Sequence, residues 1–391
     1  MRVAISTTRP FHSALLANAL TRRAGAVRIY SPAPRRFFRR LDDAVQLTVV
    51  PSVVQAAMHL LPLELPDAAL HADSWLYDRS VAAVLRSCDV FVGWATASLA
   101  SGRAVRRRGA RFVLDRACPH VDFQQAILRE EAAKTGFRFH PEPAWFRDRQ
   151  LAEYEEAERI LVPSDYTQHS FPAALQAKTI KAPLFGRCGF PADVQVERNP
   201  VFTVGVVGGD PLRKGYLYLL EAWKRLALPN ARLLIRSGAD FRRFPRLQSL
   251  LGGLDNIELV PYLPDINDFY RRCDAFVLPS VDDGFGMALF EAMANGVPCI
   301  ATTHCGSSEL LTSGRDGIVV PPFESGQIAD ALLSLFESED FRRSVGAAGR
   351  ATVASLMREN SSGGSSPLYD CAIEELLRSL EHQPSLAAAA G

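Results

Sequence analysis

Short apolar runs alternate with amphipathic stretches along the first half of the chain. Residues 2–6 predict a strand, an amphipathic stretch from about residue 11 to Arg23 predicts a helix, and residues 27–30 predict a second strand. Further strands are predicted at 45–50, 89–92, 110–114 and 159–163, with helices between them. Strands that alternate with helices predict a doubly wound, largely parallel sheet of Rossmann-like type.

The second half repeats this alternation. Strands are predicted at 201–207, 231–235, 257–260, 275–278, 299–302 and 318–320, with helices at 216–226 and 287–294 among them. A segment rich in proline and glycine, 182–200, reads as a linker. We therefore predict an α/β chain of two domains, 1–190 and 191–357, followed by a flexible break, a terminal helix and a tail over 358–391.

Composition argues against several classes of protein but does not indicate a function. The chain is 48% hydrophobic and 22% charged, and no apolar run approaches the roughly 18 residues of a membrane helix. The start of the chain is too short and too soon interrupted for a signal peptide, so we expect a cytoplasmic protein. Seven cysteines without a C-x-x-C pair suggest neither zinc nor a disulfide framework.

Charge is distributed unevenly between the halves. Residues 1–190 hold 26 Lys and Arg against 18 Asp and Glu, whereas residues 191–391 hold 18 against 25. The basic clusters at 35–40 and 106–108 could meet an anionic acceptor or the anionic inner face of a membrane as a peripheral contact. Solvated helix faces explain them equally well. No nucleic-acid motif accompanies them, so we expect no nucleic-acid partner.

The most informative stretch is 278–298, which reads as a strand, a glycine turn and a helix. Gly284 and Gly286 allow a sharp turn, and the helix that follows offers unpaired N–H groups and a positive dipole end to a phosphate. Glu291 could accept hydrogen bonds from sugar hydroxyls, which predicts a nucleotide site. The alternatives are that the glycines only shape a turn, that Glu291 only pairs with a cation, and that Asp282 and Asp283 form a solvated turn.

Two other loops carry candidate chemistry. Residues 208–215 form a phosphate-compatible loop that contains Arg213 and Lys214, whereas the first turn of the chain has no glycine for a phosphate. Asp115 and His120 follow a strand, at the sheet edge where open α/β proteins bind ligands. A lone histidine there is ordinarily a capping or packing residue. Residues 130–131, both glutamates, read as a solvated helix face.

Four pieces in order carry a resemblance to a known family: Arg213-Lys214-Gly215, the strand end Pro279-Ser280, the run from Asp283 to Pro298, and Gly306-Ser-Ser-Glu309 followed by Gly317. Together they resemble the retaining glycosyltransferases of family 4, whose GT-B fold has two Rossmann-like domains facing a cleft. The resemblance implies transfer of a sugar from a UDP-, GDP- or ADP-sugar to a glycan, lipid-linked or small-molecule acceptor. It implies no metal and no further cofactor.

The resemblance also implies residue roles. Lys214 would grip the donor diphosphate with Arg213 beside it, Glu291 would hold the ribose, and Asp283 would hold the hydroxyls of the transferred sugar. His120 and, beside it, Asp115 would lie next to that sugar, and residues 7–11 would face the acceptor. The full set assigned to the donor is Arg213, Lys214, Tyr262, Leu263, Asp283, Gly284, Phe285, Gly286, Met287, Ala288, Leu289 and Glu291. Glu309 fits a helix cap better than a reactant.

Two positions depart from the family pattern. Asp283 stands where the family usually has a glutamate, and Gly209 stands where it usually has an arginine five residues before the lysine. Arg213 is expected to supply the missing cation. These departures leave two alternatives open: a non-catalytic protein that binds nucleotide sugars, and a GT-B epimerase or hydrolase that acts on them without an acceptor.

Overall fold

The computed structural model describes residues 1–10, 12–38, 41–52, 67–184, 199–358 and 366–381. Its first domain is built on a parallel sheet of seven strands in the order β3-β2-β1-β4-β5-β6-β7. The strands are β1 Arg2–Ser6, β2 Ala26–Ser31, β3 Gln46–Val49, β4 Val90–Trp94, β5 Arg111–Asp115, β6 Arg159–Val162 and β7 Thr179–Lys181. The order reverses between β1 and β4, as in doubly wound sheets.

The second domain is built on six parallel strands in the order β10-β9-β8-β11-β12-β13. They are β8 Phe202–Val207, β9 Ala231–Arg236, β10 Ile257–Leu259, β11 Ala275–Leu278, β12 Cys299–Thr302 and β13 Ile318–Val320. Here the order reverses between β8 and β11. The predicted fold class, two doubly wound parallel-sheet domains, is confirmed.

Helices cover the sheets of both domains. In the first domain they are α1 Ser13–Thr21, α2 Asp67–Val84, α3 Leu99–Arg106, α4 Val121–Thr135, α5 Ala144–Glu156, α6 Asp165–His169 and α7 Ala173–Gln176. The later ones are α8 Tyr216–Leu226, α9 Pro245–Gly252, α10 Asn267–Arg271, α11 Met287–Ala294, α12 Ser325–Glu337, α13 Glu339–Arg358 and α14 Pro367–Glu381. Short 3₁₀ turns occupy Arg35–Phe37, Phe241–Arg243 and Gly306–Leu310. Among the described residues, no helix is long and apolar enough to cross a membrane.

Helix α5, which spans Ala144–Glu156, is poorly marked in the sequence. Its buried positions include Arg149, Gln150 and Glu153, whose polarity hides the helical period from a hydrophobicity pattern. Most of the predicted linker and tail, 185–198 and 382–391, lies outside the described residues.

The terminal helix α14 packs against the first domain. Arg22 Nη2 lies 2.6 Å from Asp370 Oδ1, and Arg23 Nη2 lies 2.7 Å from Glu374 Oε1. The predicted terminal helix is therefore present. With it, the chain returns from the second domain to the first.

Candidate functional site

Two ion pairs connect the loop after β8 with the loop after β11. Arg213 Nε lies 3.0 Å from Asp282 Oδ2, and the next residue, Lys214, pairs with Asp283. The turn that precedes α8 directs both cations toward the β11 loop. Gly215, at φ 64°, ends this turn, and a Cβ there would collide with the carbonyl oxygen of Pro279. The two loops are therefore held in direct contact.

The predicted glycine turn and helix are present. Gly286 adopts φ 78° immediately before α11, where a Cβ would collide with the sulfur of Cys305. Met287, Ala288 and Glu291 are half-buried along one side of α11, whereas Phe285 and Leu289 are buried. Phe285 and Leu289 can therefore contact a ligand only through their backbone groups. First-turn amides of a helix lack intrahelical partners and carry its positive dipole end.

Glu291 is held by a buried tyrosine of a neighbouring helix. Tyr270 Oη donates to Glu291 Oε2 at 2.9 Å and also contacts the Ala288 carbonyl oxygen at 3.3 Å. Tyr270 itself is fully buried. The carboxylate of Glu291 is thus oriented from behind while the residue keeps part of its surface exposed.

Charges around Asp283 keep its carboxylate ionised. Burial opposes ionisation, but the cations of Lys214 and Arg213 outweigh burial and hold the pKa of Asp283 below its usual value. Burial also disfavours the charge of Arg213, and its neighbours Cys118, Asp282 and Asp283 raise its pKa above normal. The Asp283 carboxylate and the Arg213 guanidinium are therefore both charged.

Asp282 is fully buried, which excludes the alternative in which it forms part of a solvated turn. Besides Arg213, it accepts hydrogen bonds from Gln124 Nε2 at 2.6 Å and from Tyr166 Oη at 3.2 Å. Gln124 and Tyr166 belong to the first domain. Arg213, expected to assist Lys214 at the diphosphate, is thus engaged in a bridge between the domains.

Gly284 brings the two domains into contact. Its carbonyl oxygen accepts hydrogen bonds from Ser164 Oγ at 2.6 Å and Thr167 Oγ1 at 3.1 Å. A Cβ at this position would collide with the carbonyl oxygen of Ala117, in the loop after β5. The glycine is therefore required for the close approach of the two domains.

In the first domain, His120 occupies the capping position that a histidine after a strand ordinarily takes. Its Nδ1 accepts from the Asp122 amide at 3.3 Å, and its ring lies 5.0 Å from that of Tyr154 and 5.2 Å from that of Phe171. Burial lowers the pKa of His120, and its Nε2 has no partner among the described residues. Its role beside a donor sugar stays a prediction.

Asp115 has a partner that sequence reasoning missed. Its Oδ2 lies 2.8 Å from His12 Nε2, and both side chains are buried. The His12 ring lies 4.9 Å from that of Trp94, at the end of β4. His12 is 103 positions away from Asp115 in the chain, so no local motif marks the pair.

Other expectations had mixed outcomes. Of the turn expected to face the acceptor, Thr7 is fully buried, residues 8–10 keep exposed surface, and Phe11 lies outside the described residues, so the acceptor contact stays a prediction. Glu130 is exposed as expected, whereas Glu131 is buried and accepts from Tyr218 Oη at 2.9 Å, so the solvated-face interpretation was wrong for Glu131. Glu309 accepts from the Asp165 amide at the start of α6 at 2.7 Å, which confirms the helix cap.

The expected base-binding residues lie near the end of β10. Tyr262 is 78% exposed, with the Arg236 guanidinium 5.1 Å from its ring centre, and Leu263 is half-buried. An exposed aromatic ring at the carboxyl end of a strand is available to a planar ligand. Within the described parts of the chain, no group of three or more His, Cys, Asp or Glu residues is placed to hold a metal ion.

Residues 193–352 match the family model described as glycosyl transferases group 1. Sucrose synthase of Solanum tuberosum is 34% identical over 219 residues, which is 56% of this chain and 25% of that protein. The chain spans less than half of the length of the first curated relatives it matches.

Two solved structures resemble the whole chain. Alr3699/HepE of Anabaena, solved with UDP and glucose, has a TM-score of 0.66 at 15% identity and covers 97% of this chain and 100% of that one. Sucrose-phosphate synthase of Thermosynechococcus elongatus has a TM-score of 0.70 at 18% identity, with 97% and 99% covered. Residues 193–352, in the second domain, thus match the glycosyl transferases group 1 model. The whole chain has the two-domain fold of the GT-B glycosyltransferases.

Proposed function

We propose that this protein is a retaining glycosyltransferase of the family 4 type, which moves a sugar from a nucleoside diphosphate sugar to an acceptor hydroxyl. One observation carries the proposal: the Lys214–Asp283 pair lies between the β8 and β11 loops, where the strand order of the second sheet reverses. Ligands of open α/β sheets bind at this reversal. Helix α11, with Glu291 on its half-exposed side, begins four residues after Asp283.

Each part of the site has a role in this reaction. Lys214 leaves Asp283 for the donor diphosphate, whose negative charge grows as the sugar departs. Asp283 is then available to the hydroxyls of the transferred sugar. The first amides of α11 face the same charge, and Glu291 accepts hydrogen bonds from the ribose.

In the proposed chemistry, the acceptor oxygen bonds to the anomeric carbon on the face from which the diphosphate leaves. The bond between that carbon and the phosphate oxygen breaks, and the acceptor proton passes to the leaving oxygen. The protein contributes position and charge. Since Lys214 and the α11 amides supply positive charge, we expect transfer to persist with a chelator.

The donor class is the first open question. Tyr262 and Leu263 would contact the base, and neither selects between uracil, guanine and adenine. UDP is the first nucleotide to examine, because Alr3699/HepE was solved with UDP and glucose.

A donor panel tests the proposal. UDP-, GDP- and ADP-sugars are incubated with glycan, lipid-linked and small-molecule acceptors, with and without chelator, and release of the diphosphate is measured together with the anomeric configuration of the product. Lys214→Ala is expected to reduce transfer by about a hundredfold or more. Lys224→Ala, an exposed lysine near the end of α8, is the matched control. The proposal would be contradicted if no donor of the panel gave either diphosphate release or sugar transfer.

A further inference from the structure

A large cavity lies between the two domains. Its volume is about 1000 Å³. The first domain contributes the start of α2, part of α4 and the segment 137–143, and the second contributes residues 209–212 and 238–244. Small-molecule sites in proteins occupy about 300–1,000 Å³, so this cavity has room for more than a single small ring.

Gly209 opens this cavity beside the phosphate loop. A Cβ at Gly209 would meet no atom within 4 Å, so a larger side chain would extend into open space. The preceding residue, Gly208, lies against the side chain of Lys214, since a Cβ there would stand 2.6 Å from Lys214 Cγ. The loop that lines the cavity at residues 209–212 therefore also contains the lysine that the proposed function assigns to the donor diphosphate.

Aromatic rings from both domains line the cavity: His71, Phe137 and Phe139 from the first and Phe244 from the second. Phe137 and Phe244 stack across the domain boundary with ring centres 4.6 Å apart. His71 stacks on Phe146 at 4.0 Å. These contacts hold the rings in fixed positions and occupy one face of each stacked ring, whereas the half-buried ring of Phe139 offers an apolar surface to a ligand.

The charged groups of the lining favour an uncharged ligand. Four residues with carboxylates line the cavity, Asp67, Glu142, Asp210 and Asp240, against one lining guanidinium, that of Arg243. Asp240 is paired with Arg242 and Glu142 accepts from Gln150, so acidic groups still outnumber the cations around the cavity. Carboxylates accept hydrogen bonds from hydroxyls and repel phosphates. A sugar ring combines an apolar face for the aromatic rings with hydroxyls for the carboxylates.

We propose that this cavity is the acceptor site and that it takes a neutral saccharide of more than one ring, with Gly209 as the residue that admits it. The inference rests on the proposed function for its link to transfer. It assigns Gly209 to the acceptor: the glycine leaves space for the saccharide next to the donor diphosphate.

The test compares two titrations on the full chain. Neutral di- and trisaccharides, and sugar 6-phosphates as charged counterparts, are titrated in the presence of UDP, and UDP is titrated separately. Gly209→Arg is expected to weaken saccharide binding by about tenfold or more by filling the space, while UDP binds equally or more tightly because a cation joins the phosphate loop. Gly252→Arg, which adds the same side chain in open space away from the cavity, is the matched control and should change neither affinity.

A second variant removes an aromatic face without adding charge. Phe139→Ala is expected to weaken saccharide binding by about threefold to tenfold and to leave UDP binding unchanged. Phe37→Ala, which removes a ring that is 41% exposed in a 3₁₀ turn of the first domain, should alter neither.

Three results would overturn the inference: a protein that binds UDP but no saccharide of the panel, tighter binding of the sugar phosphates than of neutral sugars, or saccharide binding that Gly209→Arg leaves unchanged. Failure of the proposed function gives a different pattern. In that case no nucleotide binds, while the saccharides still bind and still respond to Gly209→Arg.

Discussion

The carboxyl edges of the two sheets hold their polar side chains differently. In the first domain, His12 and Asp115 are buried together, and His120 caps α4 from a buried position. In the second, Lys214 and Asp283 pair while keeping 21% and 13% of their side-chain surface exposed. A partly exposed ion pair can exchange its partner for a ligand, whereas a fully buried hydrogen-bonded pair is held in place. The comparison therefore favours the second domain as the place where a ligand can replace a side-chain partner, as proposed.

The largest effect is expected from adding a methyl group at Gly284, where the two domains meet. We expect Gly284→Ala to reduce transfer by about a hundredfold, because its Cβ would collide with Ala117 and displace the first domain from the donor. If the second domain alone holds the nucleotide, as proposed, UDP affinity should stay within about threefold. Transfer rates and UDP titrations on the same preparation measure both. An equal loss of both would mean that the first domain also binds the nucleotide.

A smaller effect is expected from the ribose contact. Glu291→Gln should weaken UDP binding by about tenfold, because a charged acceptor for the hydroxyls is lost. Tyr270→Phe removes the hydroxyl that contacts Glu291 Oε2 at 2.9 Å and the Ala288 carbonyl oxygen at 3.3 Å, and it should weaken UDP binding by about threefold. Both affinities are measured by calorimetry. If the tyrosine variant lost more than the glutamate variant, Tyr270 would act through the helix packing and not through Glu291.

The difference between the domains also explains what the sequence could predict. In the second domain, α8, β11, α11, β12 and β13 have the predicted bounds, because each is a short apolar strand or a helix whose ends are marked by glycine or proline. The contact between Lys214 and Asp283 follows from two loops that lie at adjacent strands, β8 and β11. The second-domain site could therefore be predicted from local motifs.

The remaining features depend on tertiary contacts. Asp282 looks like half of a solvated acidic turn, and only the approach of Gln124 and Tyr166 from the other domain buries it. Glu131 was misplaced for the same reason, since Tyr218 of the second domain covers it. His12 and Asp115 meet only because β1 and β5 lie close in the sheet. No local pattern contains this information.

The bridge at Asp282 gives a third way to sharpen the comparison. Asp282→Asn weakens the hold on Arg213, Gln124 and Tyr166, so the domains should separate more readily. We expect a larger radius of gyration in small-angle scattering and a loss of transfer of about fivefold, with UDP affinity changed less. An unchanged radius together with a large loss of UDP affinity would place Asp282 in the donor site itself.

The smallest expected effect concerns pH and the first domain. Burial raises the pKa of Glu153 to about 7 from 4.5, although the carboxylate interacts with Arg149 and accepts from the amides of Thr96 and Ser98. Between about pH 4.5 and pH 7, Glu153 therefore keeps its proton in the folded protein and has lost it in the unfolded chain. The free energy of unfolding should fall as pH rises through that window.

Thermal unfolding at pH 5 and pH 8 measures this effect. We expect Glu153→Gln to lower the pH dependence of the unfolding temperature by about 2–4 °C, because its side chain does not titrate. Glu155→Gln, an exposed neighbour on α5, is the control. If both variants kept the full pH dependence, Glu153 would be ionised in the folded protein throughout this range.

The most direct test of the central claim compares two adjacent cations. UDP, GDP and ADP are titrated calorimetrically into the wild-type chain, Lys214→Ala and Arg213→Ala. If Lys214 serves the diphosphate and Arg213 serves the bridge to Asp282, Lys214→Ala should weaken binding of the preferred nucleotide by about tenfold or more, and Arg213→Ala by less than about threefold. A loss in Arg213→Ala that equals or exceeds the loss in Lys214→Ala would contradict the account.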